Sequence, residues 1–458
     1  MWNLLRLGIS GGESNILSGN IDRAIILLAI PMTLEMLMES LFAVVDIFFV
    51  SKIGVNAIAV VGLTESMLTI TYSLGFGVAM GTTAMVARRV GEKDTKGASI
   101  SAVQAIYLGV LTSLPVMAAG IFFAEDLLRL MGADEAIIAE GVGYTKLIYG
   151  SNLIIILLFL INGIFRGAGD AALAMRSLWI ANGLNIVLDP MLILGIGPFP
   201  KLGIEGAAIA TIIGRTTGIC YQVYHLYKGK GIIKIHKQNW GLKINVIARL
   251  IKLYAGVTAQ FIIASASWIF LMRVISTFGS TALAGYTVAI RVVMFTILPA
   301  WGISNAAATM VGQNLGAKQP DRAEKAVWRT GYYNVVFMGA VMVIFLLFSE
   351  NIATFFTNEK EVISNATQCL NIIALGYLFY AFGMVLVQSF NGAGDTRTPT
   401  IMNFFIFWMI QIPLAYLLAI EFSLETAGVY WAIVISESTF TIVGYFLFKR
   451  GRWKKVIV

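Results

Sequence analysis

The hexapeptide Phe165-Arg166-Gly167-Ala168-Gly169-Asp170 returns as Phe390-Asn391-Gly392-Ala393-Gly394-Asp395, 225 positions later. At the same offset Ser51, Gly54, Ala57 and Ala59 meet Ser276, Gly279, Ala282 and Ala284. Gly77, Met85, Val86, Gly91 and Lys93 likewise meet Gly302, Met310, Val311, Gly316 and Lys318. The chain is one unit written twice, so its fold must place two equivalent units around a seam. Both units are apolar: hydrophobic residues fill 58% of 458 positions and charged residues 13%, against roughly 25% charged in soluble domains. Such a chain is a polytopic membrane protein. A duplicated membrane unit with a seam between its copies is how many transporters are built, and transport is the leading expectation.

Apolar runs of roughly 20–30 residues predict spans near 24–52, 56–87, 97–123, 136–165, 171–196 and 205–228. The second set falls near 244–275, 281–312, 323–348, 360–390, 397–420 and 425–448. The expected fold is all-α, with twelve transmembrane helices in two pseudo-symmetric six-helix bundles. Six spans return the chain to its starting side, so the repeats are parallel. The predicted organisation is a first lobe over 1–228, a basic linker over 229–243 and a second lobe over 244–458. Segments on the side of the N-terminus hold 23 Lys or Arg, whereas the opposite loops hold only Lys52, Arg129, Lys201 and Lys360. This asymmetry places both termini and the linker in the cytoplasm. The net charge of +8 is accounted for by it, with no need of a nucleic acid partner. Cys220 and Cys369 both lie in apolar stretches and read as buried small hydrophobes.

The charges predicted at membrane depth are Glu35, Glu39, Asp46, Glu65, Lys146, Asp189, Arg215, Arg273, Arg291 and Glu437. Each is costly there and therefore a functional candidate. Glu35, Glu39 and Asp46 fall within about 40° on one face of the first helix, which is expected to front a polar cavity. Pro31 lies just before them and can bend that helix. In the fifth helix Asn185 and Asp189 are one turn apart, followed by Pro190. Both helices run outward, and Asp46 and Asp189 lie at nearly equal depth in the outer half of the membrane. Two carboxylates and a side-chain carbonyl at one level suit a hard cation. They suit a proton equally, because like charges in a low dielectric favour sharing one.

The second copy serves as an internal control. Glu35 maps to Gln260, Asp46 to Leu271 and Asp189 to Ile412, so cation coupling is expected in the first lobe alone. Arg215 maps to Glu437 after a three-residue adjustment. Glu65 and Arg291 lie at one depth, about 100° apart on equivalent helices. They are a possible inter-lobe pair. Lys146 either balances the acids or snorkels outward.

Several tempting motifs carry little. The two Gly-Ala-Gly-Asp sequences read as helix-end and N-cap chemistry rather than a protease site, and Gly91 and Gly316 as turn punctuation. No GxxxxGK[ST] phosphate loop exists, so direct ATP drive is not indicated. No His, Ser or metal constellation supports an enzyme.

Pro31, the run Val45-Asp46-Ile47-Phe48-Phe49-Val50, Ala87-Arg88-Arg89-Val90-Gly91-Glu92, Arg166–Asp170 and Asn185–Pro190 resemble the multidrug and toxic compound extrusion (MATE) family. Gly312–Gly316 and Asn391–Pro399 fit its second half. The resemblance covers essentially the whole chain. It implies a V-shaped pair of six-helix lobes and export of organic cations or amphipathic drugs against Na⁺ or H⁺. Carried over by position, it puts the cation site on Asp46, Asn185, Asp189 and Thr211, with Ala207 four residues before Thr211. These would ligate the metal if the ion is Na⁺. Gln260 stands near where other members carry an acid in the seventh helix, a departure that points to the DinF-type branch.

The combined expectation is a secondary antiporter of a prokaryotic inner or plasma membrane, working as a monomer in the lipid bilayer. Its only small-molecule requirement besides cargo is the coupling ion. Pro31, Glu35, Glu39 and Gln260 are assigned to the conformational or cavity machinery. The competing reading is a flippase for lipid-linked precursors, which predicts a broad cavity lined by cations.

Overall fold

The computed structural model describes residues 2–11, 16–229 and 231–458, and among them every regular element is helical. Six spans form the first half: α1 (Ile21–Ser51), α2 (Val55–Gly91), α3 (Thr95–Phe122), α4 (Glu135–Gly150 continued by Asn152–Ala168), α5 (Ala171–Leu194) and α6 (Ile204–Lys228). The second half repeats them as α7 (Ile244–Ser276), α8 (Ser280–Gly316), α9 (Pro320–Phe356), α10 (Lys360–Leu375 and Tyr377–Ala393), α11 (Arg397–Glu421) and α12 (Glu425–Lys449). Ten of these are long and apolar enough to cross a membrane alone, and α10 crosses as a pair bent by 59°. The twelfth, α6, is less apolar because it carries Glu205, Arg215 and a run of Gly and Thr. The chain is thus a two-lobe, twelve-helix membrane protein, as its repeat predicts.

Helix ends follow local chemistry. Asn20, Asp94, Asp134 and Asp170 each accept a backbone N–H three residues on, which satisfies a donor the first turn leaves free. In both Gly-Ala-Gly-Asp sequences the second glycine adopts a left-handed conformation, φ 88° at Gly169 and 86° at Gly394, and the Asp caps the next helix. α1 runs unbroken through Pro31. Around Pro413, α11 is wound into π turns at Phe404–Gln411 and Leu417–Glu421, where the missing proline N–H leaves the ladder out of register. Ahead of α1, a short helix (Trp2–Ser10) accepts a hydrogen bond from Arg176 on α5 through Ile9 O, at 2.8 Å. The linker is docked: Ile233 and Ile235 are buried, and Gln104 and Tyr107 of α3 hold Gly241, Lys243 and Trp240.

The two halves meet on the side of the linker through contacts that obey the 225-residue offset. Gly302 of α8 packs on Thr33 of α1, so that a Cβ there would lie 2.6 Å from the Thr33 Cα. Its counterpart Gly77 of α2 packs on Thr258 of α7. Gly91 packs on Gln313, and Gly316 on Arg88, which stands 225 positions before Gln313. Hydrogen bonds reinforce the seam: Thr82 to Tyr254 at 2.8 Å, Gln313 Nε2 to Gly167 O at 2.9 Å and Thr309 to Arg166 O at 3.0 Å. The reading of Gly91 and Gly316 as turn glycines is corrected here. Both lie at the last helical position, and the positive φ falls instead on Lys93 (61°) and Lys318 (58°). What the two glycines permit is backbone-to-backbone approach between lobes. Toward the other side the lobes diverge around a cavity of about 1300 Å³.

Candidate functional site

α5 and α6 are held at close range by the stripe Gly206, Ala210, Gly214 and Gly218, small residues at four-residue spacing that let backbones touch. A Cβ at Gly214 would meet the Ala181 carbonyl and lie 3.2 Å from the Asn185 Cβ. That approach puts Thr211 beside Asn185, whose Nδ2 donates to Thr211 Oγ1 at 3.0 Å. Ala207, one turn earlier, is buried and packs in the outer core of the lobe. The amide group of Asn185 is thereby turned so that Oδ1 is buried without a donor. Both oxygens of Asp189 are buried and receive no hydrogen bond of ordinary geometry, with the Asn185 side chain acting on them from one turn away. Asp46 and Asp189 each lie five residues short of the end of their outgoing helices. Asp46 is buried, and its charge acts on Asp189. The structure therefore joins Asn185 to Thr211 by a hydrogen bond, keeps Asp189 one turn further along the same helix, and leaves Asp46 within electrostatic reach of Asp189.

This set is rich in oxygen acceptors: two carboxylates, an amide carbonyl and a hydroxyl oxygen whose own O–H is still free to donate. Such hard oxygen donors suit a proton or an alkali cation. Among the described residues no three His, Cys, Asp or Glu cluster as a site for a resident metal. Leu271 and Ile412 occupy the places of Asp46 and Asp189 in the second lobe, so the acceptor cluster has no twin there.

The neighbouring charges differ from expectation in instructive ways. Glu35 does not front an open cavity. It is fully buried, accepts from Asn162 Nδ2 at 3.0 Å and lies 3.9 Å from Arg166 Nη2. Asn162 is held in turn by Ser177 and Gln222. Arg166, counted from sequence among the surface positives at the end of α4, is buried and lines the inter-lobe cavity. Glu39 accepts from Asn182 at 2.8 Å and pairs with Arg215 at 3.5 Å. The helical stripe of acids is real, but its first two members turn toward polar residues of α4, α5 and α6, because a carboxylate at this depth needs a partner.

Arg215 is the counter-charge that the sequence did not reveal. It is buried, sits 5.7 Å from the Phe42 ring, and its charge reaches Glu39, Asp46, Glu65 and Tyr72. Tyr144 of α4 lies among the same charges. Glu39, Asp46 and Glu65 outnumber this one buried cation in its own surroundings, so the local field favours a further positive charge. Lys146 is exposed, in line with snorkelling, and Cys220 is exposed rather than buried.

Glu65 and Arg291 do not form the inter-lobe ion pair envisaged from sequence. Both are exposed and no ion pair joins them, although the Arg291 charge reaches Glu65.

The second lobe repeats the inner network in neutral form. Gln260 stands where Glu35 stands and Asn391 where Arg166 stands. The two exchange reciprocal amide hydrogen bonds of 3.0 and 3.2 Å. Gln260 also donates to Thr396 O at 3.1 Å and lines the cavity. Around the middle of that cavity Phe76, Phe261 and Trp301 form an aromatic cluster, with ring centroids 5.1–5.3 Å apart.

The MatE family model matches residues 31–191 and again 257–417, one match for each repeat and together well over half of the chain. The chain belongs to the MatE family. Among its relatives, the probable multidrug resistance protein YoeA of Bacillus subtilis is 26% identical, over 94% of each chain. The probable multidrug resistance protein NorM of Thermotoga maritima is 25% identical, over 95% of this chain and 94% of its own. A crystal structure described as MATE in the straight conformation matches with a TM-score of 0.90 and 27% identity, covering 96% of this chain and 98% of that one. This MatE protein is a multi-span membrane transporter and not an enzyme.

Proposed function

We propose that this MatE protein is a cation-coupled exporter that expels organic cations and amphipathic drugs across a prokaryotic cell membrane by alternating access. The observation that carries the reading is the asymmetric acceptor cluster: Asp46, Asn185, Asp189 and Thr211 in the first lobe, with no counterpart in the second. A drug-binding cavity accounts for the aromatic and methionine wall between the lobes. The names of YoeA and NorM as multidrug resistance proteins support the same cargo class. The distribution of Lys and Arg supports a cytoplasmic location for the termini and linker, so the cavity mouth faces outward. The protein works as a monomer embedded in lipid.

In this mechanism Na⁺ or H⁺ enters from outside and neutralises the field of Asp46 and Asp189. α1 transmits the change. It carries Asp46 near its outer end and Thr33 at the seam, where Thr33 packs on Gly302 and donates to Pro299 O at 3.5 Å. Glu39 and Arg215 tie the middle of α1 to α6, so the ion site and the seam share one rigid element. Ion and cargo must favour different states for exchange to be coupled. Efflux of a fluorescent organic cation from vesicles, with Na⁺ and pH gradients imposed separately, tests the reading. One gradient should drive efflux, and Asp46→Asn should abolish it while leaving expression intact. Undiminished export by Asp46→Asn would defeat the assignment.

A further inference from the structure

Glu437 of α12 lines the inter-lobe cavity, and no charged group among the described residues neutralises it. The repeat explains how this comes about. Glu437 occupies the place that Arg215 has in the first lobe. There Glu39 of α1 balances the α6 charge at 3.5 Å. The residue equivalent to Glu39 is Ala264, which lines the same cavity as Glu437. The second lobe has thus kept an ionisable group on its last helix and replaced the partner with a methyl group, and both positions border the same open space.

The surroundings of that space are aromatic and soft. Tyr380, Met384, Phe407 and Phe440 share the cavity wall with Glu437, and the Phe407 and Phe440 rings stack at 5.5 Å with planes 6° apart. Of the other charges lining the cavity, Arg166 is spent on Glu35 and Arg291 faces the charge of Glu65. A carboxylate is expensive at membrane depth without a counter-charge. Where the protein supplies none and the group faces a ligand-sized cavity, the counter-charge comes from the ligand. One carboxylate matches one positive charge, and aromatic faces beside it favour a cation whose charge is spread over apolar bulk. We propose that Glu437 anchors the positive charge of a monovalent lipophilic organic cation in the cavity between the lobes. This rests on the export reading above and narrows its cargo.

The test measures equilibrium binding of tetraphenylphosphonium and of the uncharged dye Nile red to the purified full chain, alongside tetraphenylphosphonium efflux from vesicles. Glu437→Gln should weaken tetraphenylphosphonium at least tenfold and leave Nile red within twofold. Glu437→Asp, which keeps the charge, should hold tetraphenylphosphonium within a few-fold of the unaltered protein. Tetraphenylphosphonium affinity unchanged in Glu437→Gln, or equally weak in Glu437→Gln and Glu437→Asp, overturns the assignment. Efflux that is present but indifferent to Glu437→Gln sinks this inference alone. Glu437-dependent binding without any efflux sinks the export reading alone.

Discussion

The sharpest consequence of the seam concerns Gly91. An alanine there would set its Cβ 2.7 and 2.8 Å from the Gln313 carbonyl carbon and Cα, and closer still to the carbonyl oxygen. Ordinary contact lies at 3.4–4 Å, so the lobes must part locally by about 1 Å. The atoms in the way are backbone, and no rotamer change can relieve them. Overpacking of this kind costs about 1–3 kcal/mol, charged only to the state in which the lobes touch on the linker side. A state parted there escapes the penalty. The ratio of parted to closed protein should therefore rise by roughly 5- to 150-fold. Nitroxides at Lys96→Cys and Lys325→Cys, both exposed on opposite lobes near the linker, report the separation in a background with Cys220, the exposed cysteine, replaced by serine. Gly91→Ala should add or enlarge a longer-distance component in the pulsed dipolar spectrum. Gly62→Ala, in the same helix with nothing within 4 Å, should leave the spectrum unaltered. Identical distance distributions for Gly91→Ala and the parent would refute the claim that this contact gates the linker side.

Three further outcomes follow from the buried pairs. Glu39→Gln removes the one carboxylate in ion-pair range of the buried Arg215; thermal unfolding in detergent should drop, and the double variant Glu39→Ala with Arg215→Met should recover most of it. Glu35→Gln alone should destabilise through Arg166 in the same way, whereas Glu35→Gln with Arg166→Asn recreates the Gln260–Asn391 pair and should be the more stable of the two by unfolding midpoint. Gly214→Ala pushes α6 away from the Ala181 carbonyl and should weaken ion-driven efflux several-fold at normal expression, since Thr211 would lose its hold on Asn185; wild-type ion dependence in that variant would count against the α5–α6 geometry.

Much of the first-lobe site was legible because its information is local. The acids of α1 share a face through the 3.6-residue period, and the depth match of Asp46 and Asp189 follows from counting residues to the helix ends. Asn185 and Asp189 announce themselves as polar groups one turn apart in an apolar run. Arg215 was visible as a membrane charge but not as a counter-ion, since it stands far along the chain from Glu39 and nothing in either segment encodes their meeting. Arg166 was misread because a base near a helix end resembles an ordinary surface positive, and only packing shows that this end is buried against the other lobe.

The division has a single physical cause. Periodicity, apolar length and the 225-residue repeat are properties of the backbone and its solvent, so the order of residues alone determined twelve helices, two equivalent lobes and the face on which the acids lie. Which charge balances which depends on helices that approach from distant parts of the chain. That was decided only in three dimensions, where glycines let α5 reach α6 and one lobe reach the other. The same close packing gives Glu35 and Glu39 partners within the protein and gives Asp189 and Glu437 no ion-pair partner among the described residues.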